Sequence, residues 1–306
     1  MINRVTQQTV QRSTLANVQL NLSKMADLQG RMSGGKVITR PSDDPAGTAQ
    51  AMSIRSAKRA AEQHARNAAD GVAWLSTADS ALTGAAAQLR RARDLTVQGA
   101  NSGAQTPSSR AALATEIENI RDGLLDQANT TYLGRSVFAG TSDAAGAFTD
   151  GSAVPPYAWT GAPGATVERR TAPDTTIRAD ADGALAFGTG TDPLAPGGRS
   201  VFALLDQIAA DLRSGAEVGP HLTEIDTRME AMLGELAAVG SRYTQMTAAQ
   251  SSIQGTVLDL TSQLSDVEDI DLAATIMELE MQEVAYKGAL GATARVLQPT
   301  LMDFLR

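Results

Sequence analysis

Leu222, Ile225, Met229, Met232, Leu236, Val239, Tyr243, Met246, Gln250, Ile253, Val257, Leu260, Leu264 and Val267 are separated by steps of three and four that alternate without a break. All but Gln250 are apolar or aromatic. A 3.5-residue period held over six heptads specifies a coiled-coil-like helix whose seam must face other helices. At about 1.5 Å per residue such a helix is about 70 Å long. A compact domain with a thick core has no room for it, so the fold must be organised around long helices.

Helices that can cover this seam lie in the first half of the chain. Ile54, Ala57, Ala61, His64, Ala68, Gly71, Leu75, Ala78, Leu82, Ala85, Leu89 and Ala92 keep the same spacing and alternate large with small residues, which allows close approach. After the breaker "NSGAQTPSS" (101–109), Pro107 and the serines start a third helix with Leu113, Ile117, Ile120 and Leu124 on one face. Only 4% of the residues are aromatic. The apolar content is mainly Ala, Leu, Val, Ile and Met, which suits helix-on-helix contacts. The expected fold is mainly α, an elongated bundle of long helices (41–134 and 201–265).

From 135 to 200 the helical period disappears. Gly, Pro, Thr and Asp dominate, and "YAWTG", "ATVERRT", "TTIRAD" and "ALAFG" alternate with turn signals. These runs predict a small inserted antiparallel β-domain, with a β-turn at Asp182–Gly183. The helical pattern returns at "SVFALLDQIAADLRSG".

The two ends are further amphipathic helices. Residues 1–40 place Leu15, Val18, Leu22, Met25 and Met32 at heptad spacing. Residues 266–306 place Leu272, Ile276, Leu279, Tyr286, Leu290, Leu297, Leu301 and Phe304 on one stripe. Residues 1–40 carry a net charge of +5 and residues 266–306 a net charge of −5. Opposite charge on two apolar-striped ends predicts that they pair, within one chain or between chains.

Little in the sequence points to catalysis, a metal or a cofactor. The chain has no cysteine, which excludes disulfides and thiol chemistry. His64 lies on a helix seam and His221 beside Pro220, and no His pair has metal-binding spacing. "RADADGALAF" (178–187) lacks the closing glutamate of a calcium loop. The acidic "DVEDID" (266–271) reads as a solvated junction between two helices. Asp43 and Asp44 sit between Pro41 and Pro45. The prolines break the helix, and Ser42 and the two aspartates are N-cap candidates for a helix starting near Ala46. The stretch therefore reads as hinge and cap. A net charge of −8 disfavours a nucleic-acid partner. No apolar run reaches the roughly 18 residues of a membrane span, and the first 25 residues lack the apolar core of a cleavable secretory signal.

Three stretches together resemble the flagellin superfamily. "GKVITRPSDDPAGTAQAM" (35–52) is similar to its N-terminal hinge. "QANTTYLGRSVFAGTSDAAGAF" (127–148) is similar to the passage leading into the β-domain of its hook–filament junction members, and the paired prolines also favour these over filament subunits. "DIDLAATIMELEMQEVAYKGALGATARVLQPTLMDFLR" (269–306) resembles the shared C-terminal helix, with Tyr286 and Lys287 departing from the usual pattern. The resemblance implies an extracellular structural subunit between the first hook-associated protein and the flagellin filament, with no enzyme activity and no cofactor. It implies export through the flagellar type III apparatus with a chaperone. The amphipathic faces themselves, which have no core of their own to cover them, are expected to drive self-assembly through an interface of Leu15, Val18, Leu22, Met25, Met32, Val257, Leu260, Leu264, Val267, Leu272, Ile276, Leu279, Leu290, Leu297, Leu301 and Phe304. A short flagellin and a cytoplasmic coiled-coil adaptor are the rival expectations.

Overall fold

The structure, a computed structural model, describes residues 7–101, 106–190 and 199–296. The chain divides into two compact units, residues 61–255 and residues 1–60 with 256–306.

The first unit is a helical body carrying the insert. It contains most of α2 (Pro45–Ala100), α3 (Pro107–Ala128), α5 (Val201–Ser214) and most of α6 (His221–Glu268). Residues 201–265 therefore hold two helices. α5 ends where Gly215 takes a left-handed conformation, and its N–H bonds back to Asp211. Thr106 caps α3 with Pro107 in the first turn.

In α6 the heptad takes a sharper form than its spacing suggested. Ile225, Met232, Val239, Met246 and Ile253 are buried, one per heptad, while the intervening seam positions Met229, Leu236 and Gln250 are half-buried and Tyr243 is exposed. In α2 the seam is buried at Ala61, Ala68, Leu75, Ala78, Leu82, Ala85, Leu89 and Ala92. From Trp74 onward the buried face widens to include Ala81, Ala86, Leu95 and Thr96. The widening follows from neighbours on several sides. A side chain on Gly71 would strike Met246 of α6, one on Gly84 would touch Gln127 of α3, and one on Gly99 would strike Leu212 of α5. Ala57, expected on the seam, is exposed, and His64 is half-buried. α3 and α5 are tied by Arg213 to Glu118 and by Arg121 to Asp206.

The insert has two hairpins. β1 (Thr131–Tyr132) pairs with β2 (Arg135–Ser136), and β3 (Glu168–Ala172) pairs antiparallel with β4 (Thr175–Arg178). Leu133 and Gly134 both have positive φ, the conformation a two-residue hairpin loop demands. "YAWTG" contributes a single bridge, Trp159 to Phe148. "ALAFG", expected as a strand, is the short helix α4 (Gly183–Phe187). Asp182 is its cap rather than part of a β-turn, and accepts a hydrogen bond from the Leu185 N–H at 3.1 Å. A run this short satisfies either period, and the cap and Phe187 decide it. Phe187 enters an aromatic cluster with Phe138, Phe148 and Phe202, with ring centroids 5.1–5.8 Å apart. The insert is fastened to α6 by Glu235, which accepts from the Asp182 N–H and from Arg242. Arg242 also donates to the Asp180 carbonyl.

In the second unit α1 (Gln7–Gly34) packs against α7 (Leu272–Val296). Gln282 donates to Asn21, and Lys36 meets Glu268, so the two helices run antiparallel. The terminal helices are thus paired, as expected. Among the described residues no helix is long and apolar enough to cross a membrane.

Candidate assembly surface

The loop between α1 and α2 joins the loop between α6 and α7. Gly35 turns the chain with φ +68°, and residues 35–37 run antiparallel to residues 268–270. The Val37 N–H donates to the Glu268 carbonyl at 2.7 Å, and the Ile270 N–H donates to the Gly35 carbonyl at 3.2 Å. Glu268 ends α6 with its side chain 4% exposed. It accepts from Lys36 Nζ at 2.6 Å and from Arg55 Nη2 at 2.7 Å. Burial alone would raise its pKa, but the two cations hold it below the ordinary carboxylate value. The segment 266–271 is therefore not a purely solvated junction. Its central carboxylate is consumed by residues far away in sequence, which no local pattern announces. These groups border a groove of about 390 Å³ that also includes Ile38, Pro41 and Met52.

The two aspartates of the hinge do different jobs. Asp43 accepts from Thr39 Oγ1 and from the Arg40 N–H, both at 2.8 Å, and these bonds lower its pKa. Asp44 accepts from the Ala46 and Gly47 N–H groups at 3.0 Å, capping α2, whose first residue is Pro45. Pro41, Ser42, Asp43 and Asp44 are exposed. A methyl on Gly47 would come within 2.8 Å of the Ile38 side chain and crowd the Asp44 carboxylate, so any larger residue here must displace the side chains of the cap.

The terminal helices meet along a seam poorer in apolar residues than the sequence suggested. On α1 the half-buried or buried positions include Thr14, Val18, Asn21, Met25, Leu28 and Arg31. On α7 they include Thr275, Leu279, Gln282, Tyr286 and Ala289. The seam therefore takes Val18, Met25 and Leu279 from the expected set. It leaves Leu15, Leu22, Met32, Leu272, Ile276 and Leu290 outside, with exposures from 36% to 57%. Three more large apolar residues that the stripe missed are also open, Met277, Met281 and Val284. α7 is apolar on more than one face, and a single-stripe search reports only one of them. Val257, Leu260, Leu264 and Val267 on α6 are half-buried. Leu297, Leu301 and Phe304 lie outside the described residues.

Of the opposite charges on the two ends, a single ion pair, Lys36 with Glu268, joins them among the described residues. Arg31 pairs with Asp27 and Lys287 with Glu283, each within its own helix. The histidines have structural partners. His64 Nδ1 lies 3.3 Å from the Arg170 carbonyl, and His221 Nε2 lies 2.7 Å from Asp211. No group of three or more metal-ligating side chains gathers among the described residues.

Residues 5–143 match the bacterial flagellin N-terminal helical region. Flagellar hook-associated protein 3 of Escherichia coli (strain K12) is 27% identical over 276 residues, covering 85% of this chain and 86% of the relative. A flagellin of Bacillus subtilis (strain 168) is 32% identical over 137 residues, 42% of this chain and 43% of the relative. The crystal structure of Bacillus cereus FlgL superposes with a TM-score of 0.56 at 22% identity, over 70% of this chain and 99% of that one, so the two share a fold. Similarity to the flagellin ends within less than half of the chain, whereas similarity to the hook-associated protein extends over most of it, so along most of its length the chain is similar to a hook-associated protein, with a flagellin-type N-terminal helical region over residues 5–143.

Proposed function

We propose that the chain is the structural adaptor between the hook and the flagellin filament. It would contact the first hook-associated protein on one side and flagellin on the other, and associate with its own copies in a ring or helical array. Before assembly it would be held by an export chaperone and passed through the flagellar type III apparatus, to reach its place outside the cell. Residues 1–40 and 266–306 would form the inner layer, residues 41–134 and 201–265 the bundle around it, and residues 135–200 the outermost domain. The observation that carries this reading is the uncovered apolar surface of α1 and α7. Leu15, Leu22, Ile276, Met281 and Val284 are open in the single chain, on helices whose mutual seam is partly polar. Exposed apolar rows of this kind mark interaction surfaces, and a heterologous contact repeated between copies generates a helical array.

The test is genetic. A strain lacking the gene should build hooks, secrete flagellin into the medium and carry no filaments. Leu22→Asp and Ile276→Asp should reproduce this phenotype with a normally folded monomer, because both side chains are exposed. Normal filaments in the deletion strain would overturn the proposal. The partial likeness to a flagellin supports a second reading, a filament subunit. In that case the deletion would remove the main filament protein itself, and the purified chain would form long homopolymers.

A further inference from the structure

The insert carries a groove that its internal packing leaves open. The groove has a volume of about 550 Å³ and lies between the loop 155–164 and α4. Trp159, Leu185 and three prolines, Pro155, Pro156 and Pro163, give it apolar walls, and Asp182 and Thr189 supply polar groups. A cavity of this size, mostly apolar with a few placed polar groups, is the usual form of a small-ligand site. The indole of Trp159 is fixed in place. Its N–H donates to the Phe138 carbonyl at 3.0 Å, and Gly161 lies so close to the ring that a methyl there would come within 2.2 Å of it. Leu185 stands on the rim, 60% exposed.

Beside the groove, and sharing Trp159, Gly164 and Asp182 with it, is a niche of about 30 Å³. That is room for one water or one hydroxyl. Arg178 and Asp180 also line it. The Asp180 side chain is 1% exposed. Its Oδ1 accepts from the Val167 N–H and from Arg178 Nε, both at 2.9 Å, and its Oδ2 accepts from Arg178 Nη2 at 3.1 Å. Asp182 uses Oδ1 to cap α4, while its Oδ2 lies 4.0 Å from Arg178 Nη2, beyond hydrogen-bond reach. An ionised carboxylate has about four acceptor positions, so the niche has acceptors to spare.

This lining selects a class of ligand. No Lys or Arg lines the groove itself, which disfavours phosphates, nucleotides and organic acids. The three prolines have no N–H to give and the carboxylates only accept, so the carbonyls of a bound peptide would be left without partners. The ligand must bring its own donors, together with an apolar face for Trp159. A neutral sugar brings both. Its hydroxyls donate to carboxylates, and the C–H face of a pyranose ring lies well on the negative face of an indole. We propose that the groove binds a neutral saccharide, with one ring stacked on Trp159 and one hydroxyl in the niche, donating to Asp182 Oδ2. The site lies wholly within the insert and does not rest on the junction reading.

The two tryptophans are the reporters. In isotope-labelled full-length protein each gives one indole N–H resonance, and Trp159→Phe identifies its own by removing it. Cellotriose, maltotriose and chitotriose are titrated in turn. The expected result, for at least one of them, is a saturable shift of the Trp159 resonance with a Kd of about 1 mM, while the resonance of Trp74, 2% exposed on α2, stays still. Trigalacturonate, an anionic trisaccharide, should shift neither. Asp182→Asn keeps an oxygen that can cap α4 and should weaken binding about fivefold. Leu185→Glu, on the exposed rim, should also weaken it, and an unchanged Trp74 resonance shows that each variant keeps its fold. No shift with any of the three neutral sugars at tens of millimolar overturns the proposal. So do equal shifts of both tryptophans, equal binding of trigalacturonate, or undiminished binding by both variants.

Discussion

Glu268→Gln removes one charge at the point where three segments meet and leaves the shape nearly unchanged. In the native protein the carboxylate takes a hydrogen bond from Lys36 at 2.6 Å and an ion pair with Arg55 at 2.7 Å. A hydrogen bond to a charged group is worth about 1.5–3 kcal/mol. The cations are 44% and 49% exposed, so they regain water when the charge is lost, and solvent screening brings the pair toward the lower end. A glutamine also keeps one acceptor. The expected loss is about 1–2 kcal/mol, confined to the clamp, which corresponds to about a 5–30-fold change in a local opening equilibrium. The assay is amide hydrogen exchange of peptides containing Val37 and Ile270, whose N–H groups bridge the two loops. Both should exchange faster by that factor, while peptides from α5 are unaffected. Unchanged exchange at Val37 and Ile270 would refute the clamp, and equal acceleration in α5 would show that the effect is not local. The sign with pH follows from the lowered folded-state pKa of Glu268. The stabilisation is complete above the unfolded carboxylate pKa and is lost as pH falls through the lower folded value. The difference between wild type and Glu268→Gln should therefore vanish in strong acid.

The seven-residue rhythm of α6 makes a second prediction. Met232→Ala, at a fully buried position, should destabilise the protein by about 2–5 kcal/mol, and Leu258→Ala, 70% exposed, should change it by less than about 0.5 kcal/mol. Urea unfolding followed by helical circular dichroism measures both, and equal effects would contradict the assigned seam. In the hinge, Asp44→Ala should weaken the start of α2 by about 0.5–2 kcal/mol, seen as faster amide exchange over residues 45–49. Asp44→Asn should retain most of the protection, because its carbonyl can still cap.

The long helices were legible because their signal is local and repeated. Spacing alone located α6 and most of α2, and the prolines and aspartates of 41–45 marked a break that the structure places between α1 and α2. What the spacing did not reveal was which seam positions would be deepest, since Ile225 and Met229 look equivalent until neighbours are present. The α7 stripe was right only at Leu279 and Tyr286, with Thr275 and Ala289 facing α1 in place of Ile276 and Leu290, for a related reason. The helix is apolar on several faces, and only α1 decides that Gln282 turns inward while Ile276 and Leu290 stay out. The partners of Glu268 lie more than two hundred residues away in sequence, so "DVEDID" looked like a solvated linker. The insert was read as all strand because "ALAFG" is too short to display a period, and its helix depends on Asp182 and on the aromatic cluster.

The hydrogen bonds from Gln282 to Asn21 have a consequence for how the terminal helices find each other. Sliding α7 by one heptad would set Asn21 against Ala289 or Thr275, and an amide partnered in the native alignment would lose its mate. Apolar side chains alone would tolerate such slippage, since a leucine accepts almost any greasy neighbour. A single polar couple within an antiparallel pair works like a tooth in a ratchet. A chain arriving with its two ends unpaired would have one alignment in which both amides are satisfied.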